Sequence, residues 1–205
     1  QNRQQFAPVM GRSLEDAPLC SCAVGDSVYP VDPTDITDDE AVALIPAALG
    51  SKDIYVGHYL EPRLVYTEPV FLTAPTAVEG RRTIHLGLDL FAPAGHGVFA
   101  PLDGHVVEAV YRDGHLDYGG VLVLAHIDGH STPFYTLYGH LAKDSIGNLA
   151  PGDLVRAGQQ VAMLGAPSEN GGWQPHLHFQ LAACLPDPGV TSADDWPGVA
   201  DPDDL

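Results

Sequence analysis

The sequence predicts an all-β protein: a small antiparallel β sandwich or barrel-sandwich hybrid, preceded by an irregular N-terminal extension that carries a short helix. Three observations predict it. From about residue 80 onward, short apolar or alternating runs recur between Gly, Pro and Asp turns, the pattern of antiparallel strands. No long helical periodicity interrupts them. Residues 1–75 are instead rich in Pro and Asp and show no such repetition. The expected organisation is an extension over 1–75 that packs on the core, a β domain over 76–186, and a peripheral tail over 187–205.

The elements follow in order. Thr37-Asp38-Asp39-Glu40 precedes AVALI, a capping-box pattern in which a Thr hydroxyl and a Glu carboxylate satisfy the first free amides of a helix. A helix is expected over 38–45, and Pro46 limits it. DIYVGHYL and RLVYTEPVFL read as strands or extended wrapping segments. The β domain then offers TIHLGLDLF, GHVVEAVYR, GGVLVLAHI, PFYTLYGHL, DLVRAGQQVAMLG and PHLHFQLAA, the fifth of them hairpin-like.

Composition narrows the function. The 205 residues carry a net charge of −18, which sets nucleic acid aside as a partner and disfavours anionic surfaces. No apolar run is long enough to span a membrane, and no leader is visible, although one already removed is compatible with a chain starting at Gln1. Cys20, Cys22 and Cys184 form neither a disulfide framework nor a zinc knuckle.

The chemistry lies in the histidines. Side chains on a strand alternate faces. His176, His178 and Gln180 take one parity, Leu177, Phe179 and Leu181 the other. In TIHLGLDLF, His85, Gly87 and Asp89 share a parity against Ile84, Leu86, Leu88 and Leu90, and Gly87 leaves room above the sheet between its polar neighbours. In TLYGHL, Thr136, Tyr138 and His140 share a parity opposite Leu137 and Leu141. Three segments therefore direct histidine to a polar face. Four imidazoles and one carboxylate exceed the three protein ligands of a catalytic zinc, and the surplus is available for proton transfer or for hydrogen bonds to developing charge. The absence of a thiolate argues against a closed structural zinc site, and the dominance of imidazole prefers zinc to magnesium or calcium.

His85-x-x-x-Asp89, Thr136-x-Tyr138-x-His140-Leu141 and His176-x-His178, in that order, resemble the lysostaphin/LytM-type zinc metallopeptidases, which cleave peptidoglycan stems or cross-links. The resemblance covers about residues 80–182 and implies a site in a groove on one sheet. It implies one zinc per chain held by His85, Asp89 and His178, with His140 and His176 as the catalytic pair. It also implies hydrolysis of short peptide bonds flanked by Gly or D-Ala, in the periplasm or outside the cell. LDYGG, LYGHL and ENGGWQPHLHFQ are similar to a branch found beside phosphotransferase-like and aminotransferase-like domains. As a cytoplasmic module of such a longer chain, the domain would have a substrate other than the cell wall. The strong negative charge and the lack of a recognisable wall-binding module depart from the pattern of free wall lysins.

Two other classes compete with a peptidase. A non-catalytic regulatory domain on this fold is disfavoured by the complete five-residue set. A biotinyl- or lipoyl-type carrier needs a lysine at a hairpin tip, and no Lys lies between 144 and 205. His96, His105, His115 and His130 are expected in solvated turns, and His126 in a structural position. If the N-terminal segment lies over the groove, His58 or Glu61 approaches the metal. Trp173 and Tyr118 are candidates for the groove wall as well as for core packing.

Overall fold

A computed structural model of the chain describes residues 6–20, 54–63, 65–66, 71–72, 80–185 and 196–205. Its strands are β1 (Tyr55–Val56), β2 (Ile84–His85), β3 (Leu88–Phe91), β4 (Gly97–Phe99), β5 (Gly104–Arg112), β6 (Gly119–Ile127), β7 (Pro133–Leu141), β8 (Leu154–Val155), β9 (Gln160–Met163), β10 (His176–Ala182) and β11 (Val199–Ala200). A single helical turn, α1 (Lys143–Ile146), follows β7 and seats Ile146 in the core. All strand pairs are antiparallel, so the all-β architecture stands. The helix expected over 38–45 lies outside the described residues. Among the described residues, no helix is long and apolar enough to cross a membrane.

One sheet carries the molecule, in the order β1-β3-β10-β7-β6-β5-β8. Strand β6 reads VLVLA because both of its faces are covered, and eight of its nine residues are buried. On one face Leu90, Leu122, Leu124, Tyr138 and Leu177 meet Val98, Val161 and Ala162 from the small β4–β9 sheet. On the other, Val121, Val123 and Leu137 pack with Trp196. Met10 and Ile54 from the N-terminal region enter the first cluster. Val65, Tyr66 and Phe71 join Phe91 and Trp173 in another, so the described part of RLVYTEPVFL wraps the domain.

The structure departs from the expected elements in three places. TIHLGLDLF is two strands in different sheets, because the chain bends at Gly87: β2 pairs with β11 and β3 with β10. Segment 153–165 is not a hairpin, since β8 pairs with β5 and β9 with β4. Thr136 and Tyr138 do not share a face with the site histidines. Tyr138 pairs with Phe179 on the core side, and Thr136 hydrogen-bonds His126 and Tyr138 there. β11 and buried Trp196 bring the described part of the segment 187–205 against the domain.

The two faces of β10 make a stability contrast. Leu177 is fully buried among core side chains. Leu177→Ala is expected to lower unfolding free energy by about 2–5 kcal/mol, the range for a truncated core leucine. Urea denaturation of the metal-free protein measures it.

Candidate metal centre

Strand pairing brings the site together. The register sets His178 opposite Asp89 on β3 and opposite Gly139 on β7, so alternation carries His176, His178 and Asp89 to one face. His85 reaches them through the bend at Gly87. Four residues of continuous strand would separate His85 from Asp89 by about 13 Å. With the bend, His85 Nε2 lies 3.2 Å from Asp89 Oδ1. Gly87 serves by size alone: a Cβ there would stand 2.6 Å from His178 Cε1.

His140 arrives by a different device. Tyr138 points into the core, so continued alternation would send His140 there too. Between Gly120 and Leu122 of β6 the register with β7 shifts, and His140 takes φ 63°, a left-handed backbone rare outside glycine. The ring then turns to the site face, 4.2 Å between centroids from His176. The backbone is held in this conformation by His140 N–H donating to Tyr118 O at 2.7 Å and by Gly165 N–H donating to His140 O at 2.9 Å.

Three ligating atoms converge. His85 Nε2 and His178 Nδ1 are 2.8 Å apart, and Asp89 Oδ1 is 3.5 Å from His178 Nδ1. Tetrahedral zinc with bonds of about 2.0–2.1 Å sets its ligand atoms about 3.3 Å apart, which these separations bracket. Asp89 Oδ1 is buried and makes no hydrogen bond of good geometry despite its nearness to the two rings. A buried anionic oxygen without such a bond is costly unless a cation takes it. His178 Nε2 donates to Gln180 Oε1 at 3.1 Å, which leaves Nδ1 with the lone pair that a metal requires. The His-Asp-His group fits a metal ion, and its donor chemistry suits zinc.

The other two imidazoles are also oriented. His140 Nδ1 donates to Asn170 O at 3.0 Å and His176 Nδ1 to Gln174 O at 2.6 Å. In each neutral ring the proton therefore sits on Nδ1 and Nε2 bears the lone pair. His176 Nε2 lies 3.7 Å from Asp89 Oδ1. Burial keeps the rings uncharged. It drives His85 down to about 3 and lowers His140 and His176 below the usual imidazole range. Burial opposes the charge of Asp89, but His85 and the Arg63 guanidinium hold that carboxyl well below its ordinary value.

A cavity of about 590 Å³ opens over this cluster, and Tyr66, Tyr118, Trp173, Trp196 and Gly198 help to line it. Trp173 and Tyr118 thus face the cavity, as wall residues do. Trp173 Nε1 donates to Asp117 O at 3.0 Å, and its ring is 5.8 Å from that of His140. Gly198 allows the closing segment near: a Cβ there would collide with the Tyr118 hydroxyl.

All five sequence-predicted residues meet here. His58 is exposed, and Glu61 binds Arg63 rather than turning a carboxylate oxygen to the ligand cluster. His126 is buried against Thr136 and Asp103 O, a structural role. His105, His115 and His130 are exposed, whereas His96 is half-buried and contacts Met10 O. Sequence reasoning missed Arg63 and the Asn170 and Gln174 carbonyls. It saw Gln180 on the histidine face without a role for it, and the i, i+2 spacing from His178 was the available signal.

With this geometry established, comparison with known proteins is informative. A family profile matches residues 83–186, and its description is peptidase family M23. The chain belongs to that family. Among curated M23-like relatives, the glycyl-glycine endopeptidase ALE-1 of Staphylococcus capitis is 38% identical over 98 residues, 47% of this chain and 24% of the relative. This chain thus spans about a quarter of that protein. Solved structures with similarity include a zinc-containing peptidase from Vibrio cholerae, 32% identical, covering 53% of this chain and 30% of that one, with a TM-score of 0.41. The catalytic domain of lysostaphin, an antimicrobial peptidase from Staphylococcus simulans, is 27% identical and covers 63% of this chain and 81% of that one, with a TM-score of 0.43. The M23 match takes in His85, Asp89, His140, His176 and His178 but stops before Trp196 and begins after Arg63.

The contact at Gly87 gives a test that substitutes none of the three candidate ligand residues. Gly87→Ala is expected to displace His178 and weaken zinc binding at least about 10-fold, the lower end for disturbing a ligand's support. Competition with a chromogenic chelator reads the change.

Proposed function

We propose that this M23 domain is a zinc-dependent endopeptidase that hydrolyses short peptide bonds flanked by Gly or D-Ala, with peptidoglycan peptides as its substrate. The observation that carries the proposal is the convergence of five oriented side chains under one cavity: a His-Asp-His triangle, and two further imidazoles whose Nδ1 protons are tied to backbone carbonyls. The ALE-1 relative is a glycyl-glycine endopeptidase, which supports the small-residue substrate.

His85 Nε2, Asp89 Oδ1 and His178 Nδ1 would hold the zinc. When bound, zinc supplies a Lewis acid for the scissile carbonyl and lowers the pKa of a water molecule to roughly 7. The remaining work falls to the chain. A neutral imidazole with its lone pair on Nε2 is placed to accept a proton as the reaction develops, and both His140 and His176 meet that condition. The ring that gains the proton becomes a donor, able to bond the charge that develops on the carbonyl oxygen or to protonate the leaving amine. The Asn170 and Gln174 carbonyls fix the ring planes and stabilise the charged form when it appears. Tyr66, Tyr118, Trp173 and Trp196 add aromatic surface to the cavity wall beside these rings.

His85→Ala, Asp89→Ala and His178→Ala are each expected to strip or greatly weaken zinc, read by elemental analysis. His140→Ala and His176→Ala are expected to keep it and to lose turnover about 10²–10⁴-fold, the range for a positioned proton-transfer group. The double variant should lose far less than the product of the single losses if both rings serve one transition state.

The function itself is tested by mass-resolved digestion of peptidoglycan fragments and bridge peptides, with and without chelator. Cleavage at Gly or D-Ala bonds that chelator abolishes is the expected result. Zinc-loaded protein that cleaves none of them would overturn the substrate assignment.

A further inference from the structure

The chain supplies part of its metal centre from outside the family-matched region. Residues 55–63 run beside both ligand-bearing segments and are stitched to them by backbone bonds. Gly57 N–H donates to Asp89 O at 2.8 Å, His85 N–H to Glu61 O at 3.0 Å, and Arg63 N–H to Thr83 O at 2.8 Å. This path sets the Arg63 side chain against the far side of the Asp89 carboxylate. Arg63 Nη1 donates to Asp89 Oδ2 at 2.5 Å, and Arg63 Nε donates to Glu61 Oε2 at 2.7 Å. The Arg63 side chain is 6% exposed, those of Glu61 and Asp89 2%.

The two Asp89 oxygens thus face different ways. Oδ2 is taken by the guanidinium, and Oδ1 points at His85 Nε2 and His178 Nδ1. We propose that Glu61 and Arg63 form a positioning clamp for the metal ligand Asp89, turning Oδ1 alone toward the ion and holding the carboxylate rotor still. The inference rests on the metal assignment made above. A planar guanidinium suits this task because its nitrogens reach two carboxylates in fixed directions, which a lysine ammonium on a flexible stem does not reproduce. Glu61 balances the buried guanidinium, so that Glu61, Arg63 and Asp89 together carry one negative charge. In this role both act through Asp89, to which the guanidinium is bonded directly.

The test separates orientation from charge. Removing Arg63 alone would change the field at the metal as well as the geometry. The double variant Glu61→Gln/Arg63→Met keeps the summed charge of the three positions and removes only the clamp. Its zinc affinity, measured by chelator competition without substrate, is expected to fall about 10–100-fold, as when a ligand's outer partner is lost. Arg63→Lys, which keeps the charge and loses the fork, is expected to fall between the double variant and wild type. The unfolding midpoint of each metal-free variant is recorded alongside, and a purely structural role would move that midpoint while leaving the affinity of the folded protein unchanged. Wild-type zinc affinity in the folded double variant overturns the clamp. If the double variant does not fold, Arg63→Lys decides: wild-type affinity there overturns the clamp, and weakened affinity with an unchanged midpoint upholds it. Failure of wild-type protein to bind zinc at all would overturn the metal assignment, and the clamp with it. Tight zinc binding without peptide cleavage would overturn only the proposed substrate.

Discussion

The site depends on keeping one carboxylate charged where it is almost wholly buried. Asp89 is 2% exposed and lies on β3, in the middle of a four-strand run from β1 to β7. An isolated carboxylate in such a place would take up a proton. The surrounding groups prevent it. Arg63 binds one oxygen, and three imidazoles lie within 3.7 Å of the other. All three are buried, and burial lowers the His85 and His176 rings below the usual imidazole range, so those two present lone pairs and N–H dipoles rather than competing charges. This cluster calls for a cation at its centre, which is the electrostatic condition of a metal site.

The sheet makes the arrangement rigid. Two adjacent antiparallel pairings, β10 with β3 and β10 with β7, place Asp89, His176, His178 and His140 on neighbouring strands, where backbone hydrogen bonds set their spacing. The apolar side of the same strands packs into the main core, so one alternation builds core and site at once. Glycines mark the places where the pattern must give way. Gly87 and Gly139 face His178 closely enough that a larger residue would displace it or its neighbour Tyr118. Among the five site residues, left-handed backbone strain falls on His140, whose φ is tolerated because bonds to Tyr118 O and from Gly165 N hold it on both sides.

The flanking segments do more than cover the family domain. The N-terminal stretch brings Arg63 to Asp89, and the C-terminal stretch brings Trp196 and Gly198 to the cavity wall. Both pass beside β2, the short strand that holds His85: Pro62 bridges Ile84, and β11 pairs with it on the other side. A two-residue strand has little stability of its own, so the position of His85 depends on these two neighbours.

The sequence by itself determined the all-β class, the five residues that the fold brings under one cavity and the polar parity of His176, His178 and Asp89. Alternation is a local property, and three of the five residues obey it on the strands that carry them. The order and spacing of the three motifs made the family legible as well. Only the tertiary structure decided the rest. Sequence parity grouped His140 with Thr136 and Tyr138, yet the fold sends those two into the core and turns His140 away by a register shift and a positive φ. It read 83–91 as one strand, yet a bend at Gly87 is what brings His85 to Asp89. It had no means of finding Arg63, because 26 positions separate that residue from Asp89 and no local pattern links them. Bends, register shifts and long-range ion pairs depend on which strands become neighbours, and that choice is made by burying the whole core together rather than by any single segment.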